Sequence, residues 1–174
     1  TMHKERLYQA LSVQGVETAS PLWIALLQWK NLEKETLHPI RVIGFRPDMP
    51  TFLIDAVRED APKLKRIGTA LLDTHSRDSY GDLPDGIAQI NRREIEIVGS
   101  FPQGTDFEGD GSRLVADETF FELTRQSPKW IEIALLKLVP GTEPGPVLAE
   151  LARILPGDVS AFTKAQLIDR DLAY

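Results

Sequence analysis

An α+β domain is predicted, and three observations carry the prediction. WIEIALLKL (130–138), PGPVLAELARIL (144–155) and DVSAF (158–162) read as a β-α-β unit. GIAQI (86–90) and EIEIVGSF (94–101) flank Asn91-Arg92-Arg93 as the arms of a hairpin. The chain has 174 residues, 42% hydrophobic and 26% charged, enough for one ordinary domain or two small subdomains with a real core.

The remaining elements follow in order. HKERLYQALSVQ (3–14) is an amphipathic helix with Leu7 and Leu11 on one face, stopped by Gly15. Leu22 to Trp29, after Pro21, is a strand, NLEKETLHP (31–39) a loop, and IRVIGF (40–45) a second strand closed by the turn RPDMP. REDAPKLKR (58–66) is a polar helical turn or loop and TALLD (69–73) a brief strand. LVA (114–116) is another, and Asp117 caps a helix over DETFFELTR carrying Phe120, Phe121 and Leu123. In the C-terminal third, Val147, Leu148, Leu151 and Leu155 face inward. The last helix opens with a capping box, Thr163 with Gln166, and a staple of Phe162 on Leu167, and runs to Tyr174.

A net charge of −6 with no clustered Lys/Arg run disfavours nucleic acid and anionic membranes as partners. Zero cysteines excludes disulfides and thiolate metal sites. No apolar run approaches the roughly 20 residues of a membrane span. Helices at both chain ends suggest a domain excised from something longer.

Two constellations invite chemistry. DFEGDGSRLVAD (Asp106–Asp117) has acids at positions 1, 3 and 5 of a twelve-residue loop and Gly111 at position 6, the spacing of a calcium loop. The flanking strand and Arg113 at position 8 argue for a Gly-rich turn whose acids face water. Asp73, His75 and Asp78 mix metal-capable and acid/base groups, as a hydrolase site would. The three histidines, His3, His38 and His75, show no H-x-H or H-E-x-x-H spacing, which favours surface roles. Nucleophile elbow, phosphate loop and dinucleotide fingerprint are all missing. Trp23, Trp29 and Trp130 lie in apolar runs and read as core.

Segments spread over nearly the whole chain resemble one family. RLYQALSVQGVETASPLW, WKN, IGFRPDMPTF, INRREIEIVGSF, GTDFEGDGSRLVAD, IEIALLKLVPG and LPGDVSAFTKAQLIDRDLAY occur in the order found in the periplasmic domain of DevC-type ABC exporter permeases, named for heterocyst glycolipid export in cyanobacteria. Gly104, Thr105, Phe107, Asp110 and Gly111 fit that family's loop pattern, whereas Asp106 and Glu108 depart from it, so the resemblance makes the calcium-loop likeness accidental. The family is similar to the MacB class of permeases. The resemblance implies a MacB-like periplasmic fold: a porter-like β-α-β layer from both chain ends (1–46 and 129–174) and an inserted, mostly-β subdomain (47–128). It also implies a noncatalytic domain of an inner-membrane permease, without cofactor or metal. The implied partners are a periplasmic adaptor protein, a TolC-like outer-membrane channel reached indirectly, a cytoplasmic ATPase subunit and a permease homodimer. ATP-driven motion would pass through the helices at 3–14 and 163–174. The alternatives are a free-standing metal-dependent hydrolase using Asp73, His75 and Asp78, or a calcium-stabilised binding module.

Overall fold

In the computed structural model, which describes residues 1–75, 86–102 and 111–171, strand β1 (Met2–His3) leads into helix α1 (Glu5–Leu11). The helix is shorter than 3–14, since Met2–His3 pairs as a strand and the helical residues end at Leu11; Gly15 then turns the chain at φ +94°, an angle that a Cβ disfavours. A Cβ there would also stand 2.6 Å from Thr142 Cγ2. The inward residues are Ala10 and Val13; Leu11 is exposed and Leu7 only half-buried. The chain forms two compact units, Thr1–Pro21 with Lys129–Tyr174, and Leu22–Pro128. Strand β2 (Val16–Lys30) contributes residues to each unit and begins well before the expected Leu22.

In the first unit β1 pairs antiparallel with β8 (Trp130–Ile131), and β9 (Ile133–Leu138) lies beside β2. The single strand expected over 130–138 is thus broken at Glu132. Val139 N–H donates to the Gly15 carbonyl at 2.9 Å, and Lys137 pairs with Glu17 at 2.7 Å. Alternation along β9 turns Leu136 and Leu138 onto a cluster of Ala10, Val13, Val147 and Leu151, the last two from α4 (Pro144–Ile154). Pro144 opens that helix where its missing N–H costs nothing. Val147 and Leu151 are buried as expected, and Leu148 and Leu155 half-buried.

DVSAF, expected as the closing strand of a β-α-β unit, forms no strand. Pro156 turns the chain by accepting the Val159 N–H at 3.0 Å, and Ala161 packs on the apolar cluster instead of joining a ladder. Helix α5 (Lys164–Asp171) opens with the expected capping box: Gln166 N–H donates to Thr163 Oγ1 at 3.1 Å and Thr163 N–H to Gln166 Oε1 at 2.9 Å. Phe162 and Leu167 are both exposed. The expected run to Tyr174 ends outside the described residues.

The second unit contains the rest of β2, β3 (Leu37–Phe45), α2 (Asp55–Asp60), a 3₁₀ turn (Ala61–Lys65), β4 (Thr69–Asp73), β5 (Ile87–Ile90), β6 (Arg93–Phe101), β7 (Ser112–Ala116) and α3 (Asp117–Thr124). Its strands run in the order β3-β7-β4-β6-β5-β2, and β2 pairs back to β3, closing a ring of six. The β3–β7 and β4–β6 pairs are parallel and the others antiparallel. Both β3 and the part of β2 from Leu22 onward are strands of this ring and fall in the second compact unit, Leu22–Pro128.

Period-two alternation gives the ring two apolar sides. Leu22, Ile43, Phe45, Leu71, Phe101, Leu114 and Ala116 pack with Val57, Ala61 and Leu64 from α2 and the 3₁₀ turn. Val42, Gly44, Arg113 and Val115 take the opposite parity, where Phe120 of α3 lies against Gly44. Asp117 is the first helical residue of α3 rather than its cap, and its Oδ1 accepts the Glu118 N–H at 3.1 Å.

Candidate functional site

TALLD carries β4 into the ring, and its last side chain goes with it: Asp73 is 1% exposed. Asp73 Oδ1 accepts the backbone N–H of His75 at 3.1 Å, an Asx turn that leads the chain out of the strand. Thr74 N–H donates to the Phe101 carbonyl at 2.9 Å, tying the same exit to β6. The imidazole of His75 is 60% exposed, with Nδ1 3.8 Å from Asp73 Oδ1 and 3.4 Å from Thr74 Oγ1. Asp73 and His75 are therefore brought together, while Asp78 lies outside the described residues. The buried carboxylate serves a backbone amide, and the imidazole stands in solvent beside it.

The other histidines lie elsewhere. His38, on β3, has its ring 2.9 Å from Thr36 Oγ1. His3 meets Trp130 edge-on, ring centroids 5.4 Å apart. Trp23 and Trp29 are core, as expected, but Trp130 is half exposed. Among the described residues no group of three or more His, Asp or Glu side chains is arranged to hold a metal ion.

Of the Asp106–Asp117 loop, residues from Gly111 onward are described. Ser112–Ala116 is a β-strand, and Arg113 is buried with its guanidinium over the Trp29 ring. Burial pushes the Asp117 carboxyl above its usual range, aided by the charges of Glu118 and Asp48 and opposed by the Glu118 N–H and Arg46. On α4, the hydrogen bonds from Arg153 hold Glu150 below the usual carboxylate range.

Sequence reasoning missed a cluster at the far end of the β5–β6 hairpin. Asn91 and Arg92 form its turn, Arg125 ends α3, and Asn91 Nδ2 donates to the Leu123 carbonyl at 3.2 Å, binding turn to helix. The signal was present: Asn-Arg stands where such turns favour Asn-Gly.

Among the described residues no helix is long and apolar enough to cross a membrane. No protein-family model matches the chain, and no curated protein matches it. Solved structures do. The extracellular domain of the noncanonic ABC-type transporter YknZ from Gram-positive bacteria aligns over 88% of this chain and 82% of its own, with TM-score 0.60 and 14% identity. The periplasmic region of MacB from Actinobacillus actinomycetemcomitans aligns over 88% of this chain and 72% of its own, with TM-score 0.60 and 9% identity. The chain thus has the mixed α+β fold of the MacB-like periplasmic domains.

Proposed function

We propose that this chain is the noncatalytic periplasmic domain of an ABC exporter permease of the inner membrane. The observation that carries the reading is the likeness, over most of the chain, to extracytoplasmic domains of two ABC-type transporters. In this reading the unit built from both chain ends is the porter-like layer, and the strand ring is the inserted subdomain. The domain binds a periplasmic adaptor protein that leads to a TolC-like channel. A cytoplasmic ATPase, acting on a permease homodimer, drives motion that reaches the domain through its terminal helices. Such transmission needs a packed element with two discrete arrangements. A DevC-type assignment, with a glycolipid or other lipid as cargo, is the finer form of the proposal, and the resemblance of the ordered sequence segments supports it.

The test is the parent reading frame and its neighbours. Apolar runs of about 20 residues shortly before Thr1 and after Tyr174, with adaptor and ATPase genes alongside, are expected. The adaptor from that locus is then expected to co-purify with the intact permease. A start codon at Thr1 and a stop after Tyr174 would overturn the reading.

A further inference from the structure

Two turns of the second unit depart from the same backbone preference, and they do so side by side. β5 and β6 are joined by Asn91 at φ 48° and Arg92 at φ 65°, with Ile90 opposite Arg93. A two-residue loop with both φ positive is a type I′ turn, whose second position favours Gly. Helix α3 ends on Arg125 at φ 60°, ψ 18°, left-handed, again where Gly is the usual choice. At both positions the backbone asks for Gly and the chain supplies Arg. The turn conformations do not require those side chains.

Asn91 holds the two turns together. Its N–H donates to the Gln28 carbonyl at 2.8 Å and its Oδ1 accepts the Gln28 N–H at 3.2 Å. Its Nδ2 donates to Leu123 in the last turn of α3. Arg92 and Arg125 therefore project from one braced corner. Both are exposed, and among the described residues neither guanidinium has an ion-pair or hydrogen-bond partner. The neighbouring Arg93 shows the chemistry suited to the corner: its Nη1 donates to the Glu122 carboxylate at 3.2 Å.

We propose that Arg92 and Arg125 form a carboxylate-receiving corner that docks an acidic segment of a partner protein. A guanidinium fork matches a carboxylate in plane and in donor spacing, which an ammonium does not. A flat anionic membrane would meet the field of a chain with net charge −6, whereas a short acidic segment meets the corner within one screening length. The proposal stands on the corner itself, independent of the transporter reading.

The test is fluorescence anisotropy with a labelled octaglutamate peptide on the parent chain, R92G/R125G and the charge control K34Q/K65Q. Binding is expected to weaken with added salt and to fall roughly tenfold or more in R92G/R125G, with the control within about twofold of the parent. The melting temperature of R92G/R125G is expected at or above that of the parent, because Gly suits both backbone conformations. Unchanged binding in R92G/R125G, an equal loss in the control, or a lower melting temperature in R92G/R125G each overturns the proposal. So does retention of the parent on phosphatidylglycerol vesicles when the peptide does not bind.

Discussion

The guanidinium carbon of Arg113 lies 4.3 Å from the centroid of the Trp29 ring, and both side chains are fully buried. Trp29 is on β2 and Arg113 on β7, the strands flanking β3, so the contact reaches past a strand within the ring. Arg113 Nη1 also donates to the Ser112 carbonyl at 3.0 Å. A cation stripped of water gains more from an aromatic face than one in solvent.

A double-mutant cycle measures that gain. Trp29→Leu is expected to cost about 2–4 kcal/mol in urea unfolding, from lost ring volume and contacts. With Arg113→Met and the double variant, the cycle is expected to give a coupling of about 1–2 kcal/mol. A coupling of zero would show that the stacked geometry contributes nothing to the ring.

Asp73 and His75 separate a structural role from a chemical one. Removing the acceptor of the His75 N–H in Asp73→Ala is expected to cost about 1–3 kcal/mol, since it leaves an amide short of its partner at a strand exit. His75→Ala, at a mostly solvated imidazole, is expected to stay within about 0.5 kcal/mol of the parent. Both are read from denaturant midpoints. A hydrolytic activity in the parent that disappears with His75→Ala would restore the enzyme reading.

What the sequence made legible was local. The β5–β6 hairpin was readable because the short polar stretch Asn91-Arg92-Arg93 separates GIAQI from the alternating EIEIVGSF, and the Thr163–Gln166 capping box because it closes within one helical turn. DVSAF was misread because an apolar run becomes a strand only if a ladder partner is present, and its turn at Pro156 leads it onto the Val147–Leu151 cluster instead. Closure of the ring depends on the parallel β3–β7 and β4–β6 pairings, which leave no local pattern. The MacB-like fold was reached through the resemblance of ordered segments, and the solved structures bear it out. The corner at Arg92 and Arg125 was illegible as a pair because Asn91 joins positions 32 residues apart.

Gly44 is a position where space, not backbone angle, decides the residue. It pairs with Trp23 on β2 and Val115 on β7, and a Cβ there would lie 2.7 Å from Cβ and Cγ of the fully buried Phe120. Phe120 has little room, with Phe121 edge-on at 5.8 Å and Phe121 in turn edge-on to Trp23 at 5.0 Å. Gly44→Ala is expected to lower stability by about 1–3 kcal/mol, the usual penalty of overpacking. Adding Phe120→Leu is expected to recover part of the loss relative to the sum of the single changes. Full additivity in urea unfolding would show that the two sites do not compete for space.

Asp117 gives the fold a pH dependence whose sign follows from its surroundings. Its carboxyl is raised, first by burial and then by the like charges of Glu118 and Asp48, so folding disfavours the ionised form. For a raised acid the penalty is present at pH above the folded-state value and is removed as pH falls through that value and below the unfolded one. Asp117→Asn keeps an oxygen acceptor for the Glu118 N–H and removes the charge. The variant is expected to melt higher than the parent near neutral pH, and the difference is expected to shrink on acidification until both carry a neutral side chain. Thermal melts across that range decide it. A parent that is more stable than the variant at neutral pH would mean that the attraction of Arg46 and the Glu118 N–H outweighs burial, and that the charge at the start of α3 stabilises the fold.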